Sequence, residues 1–187
     1  MSRQPHIPQR KRIFLGCEGE SEQSYGALLQ RLANEQNLPL AIDSVILKGG
    51  GDPLGYLQLA VSKIEEEEEK RGEYMVRAVL IDKDRLGQNK ERDQRIPTLI
   101  SQHCLQIIWQ EPCHEALLLR HLPNCQSLRP VSTELAIKEL GRRWPRPPYR
   151  KGMPSTRLAD VIKMPDILAA AGVDEALHHF LESIGFI

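Results

Sequence analysis

The sequence predicts an α/β domain, a mostly parallel sheet with helices on both faces, followed by a helical C-terminal extension. Three observations carry this. Four short apolar runs alternate with stretches whose apolar residues recur at helical spacing, the pattern of strand–helix–strand units in a parallel sheet. The third run is apolar almost throughout, as a strand covered on both faces must be. Beyond Pro130 the strand pattern stops and only helical spacing continues.

Residues 1–11 form a basic lead. Arg12–Cys17 reads as a short buried strand, interrupted by Glu18-Gly19-Glu20. Tyr25, Leu28, Leu29 and Leu32 then fall at i, i+3, i+4 and i+7, the stripe of an amphipathic helix. Leu40–Leu47 is a second strand, closed by the turn Gly49-Gly50-Gly51. Leu54, Leu57, Val61 and Ile64 mark a helix that runs into Glu65–Glu69, a solvated face, and stops near Gly72. Met75–Ile81 is the third strand and ends in Asp82-Lys83-Asp84-Arg85. A polar loop and a short helix occupy Gly87–Gln102. Leu105–Trp109 is the fourth strand. Pro112 is expected in the first turn of the helix carrying Leu117, Leu118, Leu119 and Leu122. Later helices are marked by Leu135–Leu140, by Met164, Ile167, Leu168 and Ala171, and by Leu177, Phe180, Leu181 and Ile184, the last ended by Gly185. Gly141–Pro154, rich in Pro and Arg, is expected to be irregular. The core is bounded at residues 12–125 and the extension at 126–187, packed on it.

At 187 residues the chain fits one domain on a prior of roughly 100–200 residues each. Hydrophobic residues make up 41% and charged residues 27%, enough to bury a real core. With 25 basic and 25 acidic residues the formal charge is zero, which excludes a polybasic nucleic-acid coat but not a local basic groove. The start lacks the roughly 7–15-residue apolar run of a signal peptide, and nothing approaches the ~18 apolar residues of a membrane span. Four cysteines without a CxxC pair suit reduced thiols, so a cytoplasmic protein with no membrane partner is expected.

The position of the acids is informative. In an open parallel sheet, ligands bind beyond the carboxyl ends of the strands. Glu18 follows the first strand, Asp82 and Asp84 close the third, and Glu111 and Glu115 follow the fourth. Read as an extended segment, Asp82 and Asp84 project to one face and Lys83 away from it. Glu22 stands four residues after Glu18, across the first turn of a helix. Carboxylates converging on one edge repel one another unless a cation neutralises them, and clustered hard oxygens select Mg²⁺ or Mn²⁺. Acids in a first helical turn are also favoured by the macrodipole alone, by roughly 0.3–1 kcal/mol each.

These residues carry a resemblance. "CEGESEQSY" at Cys17–Tyr25, "VLIDKDR" at Val79–Arg85 and "EPCHEALLLRHL" at Glu111–Leu122 occur in the order and spacing of three motifs of the RloB-like proteins, a branch of the Toprim superfamily. The chain resembles that family over roughly residues 12–122 and departs from its pattern at Ser21, Glu111 and His114. The resemblance implies a Toprim-like fold with a metal-dependent phosphodiester site. It implies Glu18 as metal ligand or general acid/base, Asp82 and Asp84 as Mg²⁺ ligands, and Glu115 as a later ligand. Glu22 has the spacing of a further metal-site glutamate in the related overcoming-lysogenization-defect nucleases. RloB-like proteins occur in prokaryotic restriction or abortive-infection loci, often beside an ATPase, which implies a role in phage defence.

Local charge reopens what the global balance hides. Lys138–Arg157 holds seven basic residues against one acid, Glu139, with Trp144 and Tyr149 interleaved. That composition suits a surface tracking phosphates with rings for stacking bases, contacted through Arg142, Arg143, Arg146, Tyr149 and Arg150. An exposed arginine loop serving solubility is the plainer alternative. Tyr149-Arg150-Lys151 resembles a segment late in RloB-like chains, which implies Lys151 as the group that stabilises developing charge. A zinc site from His103, Cys104, Cys113, His114, His121 and Cys125 is disfavoured by their spacing. Cys113 as a nucleophile is disfavoured because neighbouring acids raise a thiol pKa. The expectation is a Mg²⁺- or Mn²⁺-dependent nuclease acting on DNA or RNA. Its rival is a non-catalytic nucleic-acid-binding or regulatory module partnered with an ATPase.

Overall fold

The first strand, β1 (Lys11–Cys17), buries five consecutive residues, Ile13 to Cys17, because both of its faces are covered. The computed structural model describes residues 10–187. Of the basic lead expected over residues 1–11, residues 1–9 lie outside the described residues, and Lys11 already opens β1. The other strands are β2 (Leu40–Ile46), β3 (Val76–Asp82) and β4 (Leu105–Gln110). All pair in parallel in the order β2-β1-β3-β4. This all-parallel four-stranded α/β sheet, with helices around it and further helices at the C-terminus, is consistent with the expected Toprim-like fold.

Side-chain alternation divides the core into two halves. Ile13, Leu15, Cys17, Ala78, Leu80 and Ile108 face α1 (Glu20–Glu35), α5 (His114–Arg120) and the C-terminal helices. Phe14, Val79, Ile81 and Leu105 face α2 (Pro53–Arg71) and α4 (Ile96–His103), with the single turn α3 (Lys90–Asp93) before α4. The C-terminal helices α6 (Thr133–Arg143), α7 (Ser155–Val161), α8 (Met164–Ala171) and α9 (Glu175–Ile184) have no core of their own. Leu140, Trp144, Leu158, Ile167 and Phe180 belong to the same cluster as Leu15 and Tyr25. Two polar links lock this half. His121 Nδ1 donates to the Leu117 carbonyl (2.8 Å), leaving Nε2 to accept from the Tyr25 hydroxyl (3.0 Å). Asp174 caps α9 through one oxygen and accepts from buried Arg120 through the other (2.8 Å).

The topology opens a crevice. From β1 the chain leaves into α1 on one face of the sheet, and from adjacent β3 it leaves toward α4 on the other. The carboxyl ends of β1 and β3 are therefore a topological switch point, where connections part and a ligand can enter.

Several local expectations are corrected. Lys83–Arg85 forms a 3-10 turn, not an extended segment, so Asp82 and Asp84 are not displayed side by side on a strand. Pro112 precedes α5 instead of sitting in its first turn, with Cys113 at the N-cap, and the helix ends at Arg120, before Leu122. Gly141–Arg143 belongs to α6, and α7 is an additional seven-residue helix. Among the described residues, no helix is long and apolar enough to cross a membrane.

Candidate functional site

Glu18, the first residue beyond β1, reaches across the crevice, where its Oε2 accepts the Asp82 backbone N–H at 3.1 Å. Glu22 is the third residue of α1. Its Oε2 accepts the Gly19 N–H at 3.0 Å, half of a capping box, while Oε1 lies 4.0 Å from His114 Nδ1. Glu115, in the first turn of α5, is 2% exposed, and Glu22 is 5% exposed. Asp82 is half-buried at the end of β3, and Asp84 stands exposed on the 3-10 turn.

The electrostatics join these positions. Burial pushes Glu18, Glu22 and Asp82 above the usual carboxylate range. Asp82 is carried furthest, to about 8, by burial first and then by repulsion from Glu18, Glu22, Asp84 and Glu115. All five expected acids thus act on one another at the switch point. Asp82 Oδ1 is buried without a hydrogen-bond partner, an orphan that native interiors rarely keep without a reason. A set of hard oxygens with one uncompensated atom fits Mg²⁺ or Mn²⁺ by donor chemistry. Among the described residues, however, no group of three or more His, Cys, Asp or Glu side chains is arranged to hold a metal ion. Glu18 and Glu22 each have an oxygen engaged by a backbone N–H.

The basic segment returns to this edge through one contact. The Gly152 N–H donates to Ser21 Oγ at 2.9 Å. Gly152 has φ +73°, and a Cβ there would stand 3.3 Å from Glu20 Oε2, so both backbone and space favour glycine. Docked on the first turn of α1, the loop places exposed Lys151 in the field of Glu22, opposing the effect of burial on that carboxyl. The expected nucleic-acid contacts divide. Arg146 and Arg150 are exposed, whereas Arg142 and Arg143 both pair with Glu139 (2.7 and 3.1 Å). Trp144 is buried, so its ring is not presented to bases. Tyr149 is half-buried against it, ring centroids 5.4 Å apart, with a buried unpartnered hydroxyl near Glu115 and Glu22. Tyr149 is part of the wall of the site, not a free stacking surface.

Three neighbours join the site beyond the expected acids, and of them the sequence singles out only His114, as a zinc ligand. Gln110 pairs with Asp82 in the β3–β4 register and brings its Nε2 to 2.5 Å from His114 Nδ1. Burial pushes His114 down to about 4, so the ring is neutral near pH 7. Tyr56, on α2, lies beside Glu18, whose charge helps raise the phenol. The signal for Tyr56 is Gly50, where any Cβ would overlap the ring. The alternative zinc ligands do not assemble. Cys104 is exposed, Cys113 and Cys125 are buried free thiols, and His121 has both nitrogens engaged. Burial pushes the Cys113 thiol up to about 11, unsuited to a nucleophile.

No family model, no curated protein and no solved structure matches the chain.

Proposed function

We propose that this protein is a metal-dependent nuclease that hydrolyses phosphodiester bonds of DNA or RNA at the crevice between β1 and β3. The observation that supports it is Asp82, whose buried, unpartnered oxygen sits amid four other acids, one of which, Glu22, lies in the field of Lys151. Such a concentration of uncompensated negative charge is costly unless the protein binds a cation there. Mg²⁺ or Mn²⁺, when bound, supplies charge neutralisation for the acids and for an incoming phosphate. Glu18, Glu22, Asp82, Asp84 and Glu115 are the residues that would hold it. Glu18 also has the position to accept a proton from an attacking water, and Lys151 to stabilise negative charge on the phosphoryl oxygens. Arg146 and Arg150 would follow the backbone beyond the site. With the resemblance to RloB-like proteins, this reading makes a cytoplasmic phage-defence nuclease working beside an ATPase.

A second reading is a nucleic-acid-binding module without catalysis. It is favoured by the absence, among the described residues, of three ready-placed ligands and by the capping role of Glu22. DNA nicking and RNA cleavage in Mg²⁺ or Mn²⁺, comparing wild type with Asp82→Ala/Asp84→Ala, separate the two. The nuclease reading expects a loss of about 100-fold or more. Equal activity in both proteins would sink it, and metal-independent binding without cleavage would leave the module.

A further inference from the structure

Beyond Asp84 the edge continues into a groove. One cavity of about 360 Å³ is bounded by Lys83, Asp84, Leu86, Gly87, Glu111 and Pro112. It shares Leu86 and Gly87 with a second, of about 550 Å³, lined by Ile96, Ile100 and Trp109 with Lys90 and Gln94 beside them. Trp109 precedes Gln110 on β4, so alternation puts its indole on the α4 face, half-buried with Ile96, Leu86 and Ile100. Each cavity has the size of a small-ligand site, in the range of roughly 300–1,000 Å³.

We propose that this groove seats one unpaired base of a nucleic-acid strand whose phosphate lies at the acidic edge. The inference rests on the nucleic-acid reading above and names the form of substrate, a single or locally opened strand. The indole and the apolar floor match the π-face of a base, which stacks irrespective of sequence. The Gln94 amide can pair with a base edge. Lys90 is exposed at the rim for a flanking phosphate, whereas Lys83 is engaged by Glu111 and Arg92 by Asp93. Continuity decides the occupant, because Asp84 borders both the acidic site and the groove. A second protein chain fits poorly, since stable interfaces need about 800 Å² on each partner. A duplex keeps its bases stacked and offers none to such a pocket.

The test reads binding in EDTA, so it does not depend on cleavage. The chain has two tryptophans, so Trp144→Phe leaves Trp109 as the single indole. A short single-stranded oligonucleotide is expected to quench Trp109 fluorescence, and the same sequence as a duplex to quench it much less. Trp109→Leu should weaken single-strand binding about tenfold, the value of one stacked base, and Trp109→Tyr should restore most of it. Circular dichroism melts separate lost stacking from lost folding, and the quenching itself needs no change at Trp109. A strand that binds without quenching, or that binds Trp109→Leu as tightly as the parent, overturns the groove and leaves the nuclease reading standing. Failure of both single strand and duplex to bind in EDTA overturns the groove, and the nuclease reading then stands or falls by the cleavage assay in Mg²⁺ or Mn²⁺.

Discussion

Asp82 holds its proton far above the ordinary pH for an aspartate, and the sign of the resulting pH dependence is fixed. With a carboxyl raised from 3.8 to about 8, the folded protein keeps a proton that the unfolded chain has released. Stability therefore falls as pH rises through that window. His114 and His121 act oppositely: burial pushes both to about 4, so their contribution is complete above 6.5 and is lost as pH falls toward 4. Between pH 6.5 and 8 the Asp82 slope stands clear of theirs. Asp82→Asn should stabilise the metal-free protein near pH 8 by on the order of a few kcal/mol, seen as a higher melting temperature, and by progressively less toward pH 4. A gain that does not change with pH would contradict this. Glu18 and Asp82 were legible in the sequence because each sits where an apolar run stops. The conformation around Asp84 was not, since a three-residue turn has no periodicity. Gln110 was invisible, and His114 reads in the sequence only as a candidate zinc ligand, because their place at the site depends on β4 lying beside β3.

Helix α1 carries Glu22 to the edge, and its seating depends on Gly26. A Cβ at Gly26 would overlap Ser44 Oγ and come within 2.8 Å of Leu15 Cδ2, so the helix lies directly on β1 and β2. Helix propensity alone would favour alanine there by about 1 kcal/mol. Packing reverses the sign, and Gly26→Ala should destabilise the protein by about 1–3 kcal/mol in urea unfolding, with its midpoint falling. A stabilised variant would show that the helix can lift at no cost. The stripe of Tyr25, Leu28, Leu29 and Leu32 revealed the helix, but a glycine within it gives no warning of what it touches. Trp144 was misleading for a related reason. Its Pro- and Arg-rich neighbourhood reads as surface, yet α7 and its neighbours turn back and bury the ring in the core.

On the scale of the whole molecule, the boundary at residue 125 marks a change of pattern and not of packing. Leu140, Trp144, Leu158, Ile167 and Phe180 complete the half-core that begins with Ile13 and Leu15. A chain ending at Cys125 would expose that apolar half of the sheet, and it is expected to lose cooperative unfolding and to aggregate. A truncated protein with a sharp, native-like melt would contradict this. The same helices deliver the Arg150–Gly152 loop to Ser21, so the basic segment and the acidic edge meet only in the complete fold. Net neutrality conceals this because composition does not register position.

The bond from Glu22 to Gly19 ties two events together. One carboxylate both closes the first turn of α1 and faces the acidic crevice. Drawing Glu22 Oε2 toward a cation would release the Gly19 amide, whereas a cation met by Oε1 alone would leave that bond in place. Loss of the Gly19 bond would therefore accompany capture of that oxygen at the edge, and the Gly19 proton is the place where it can be read.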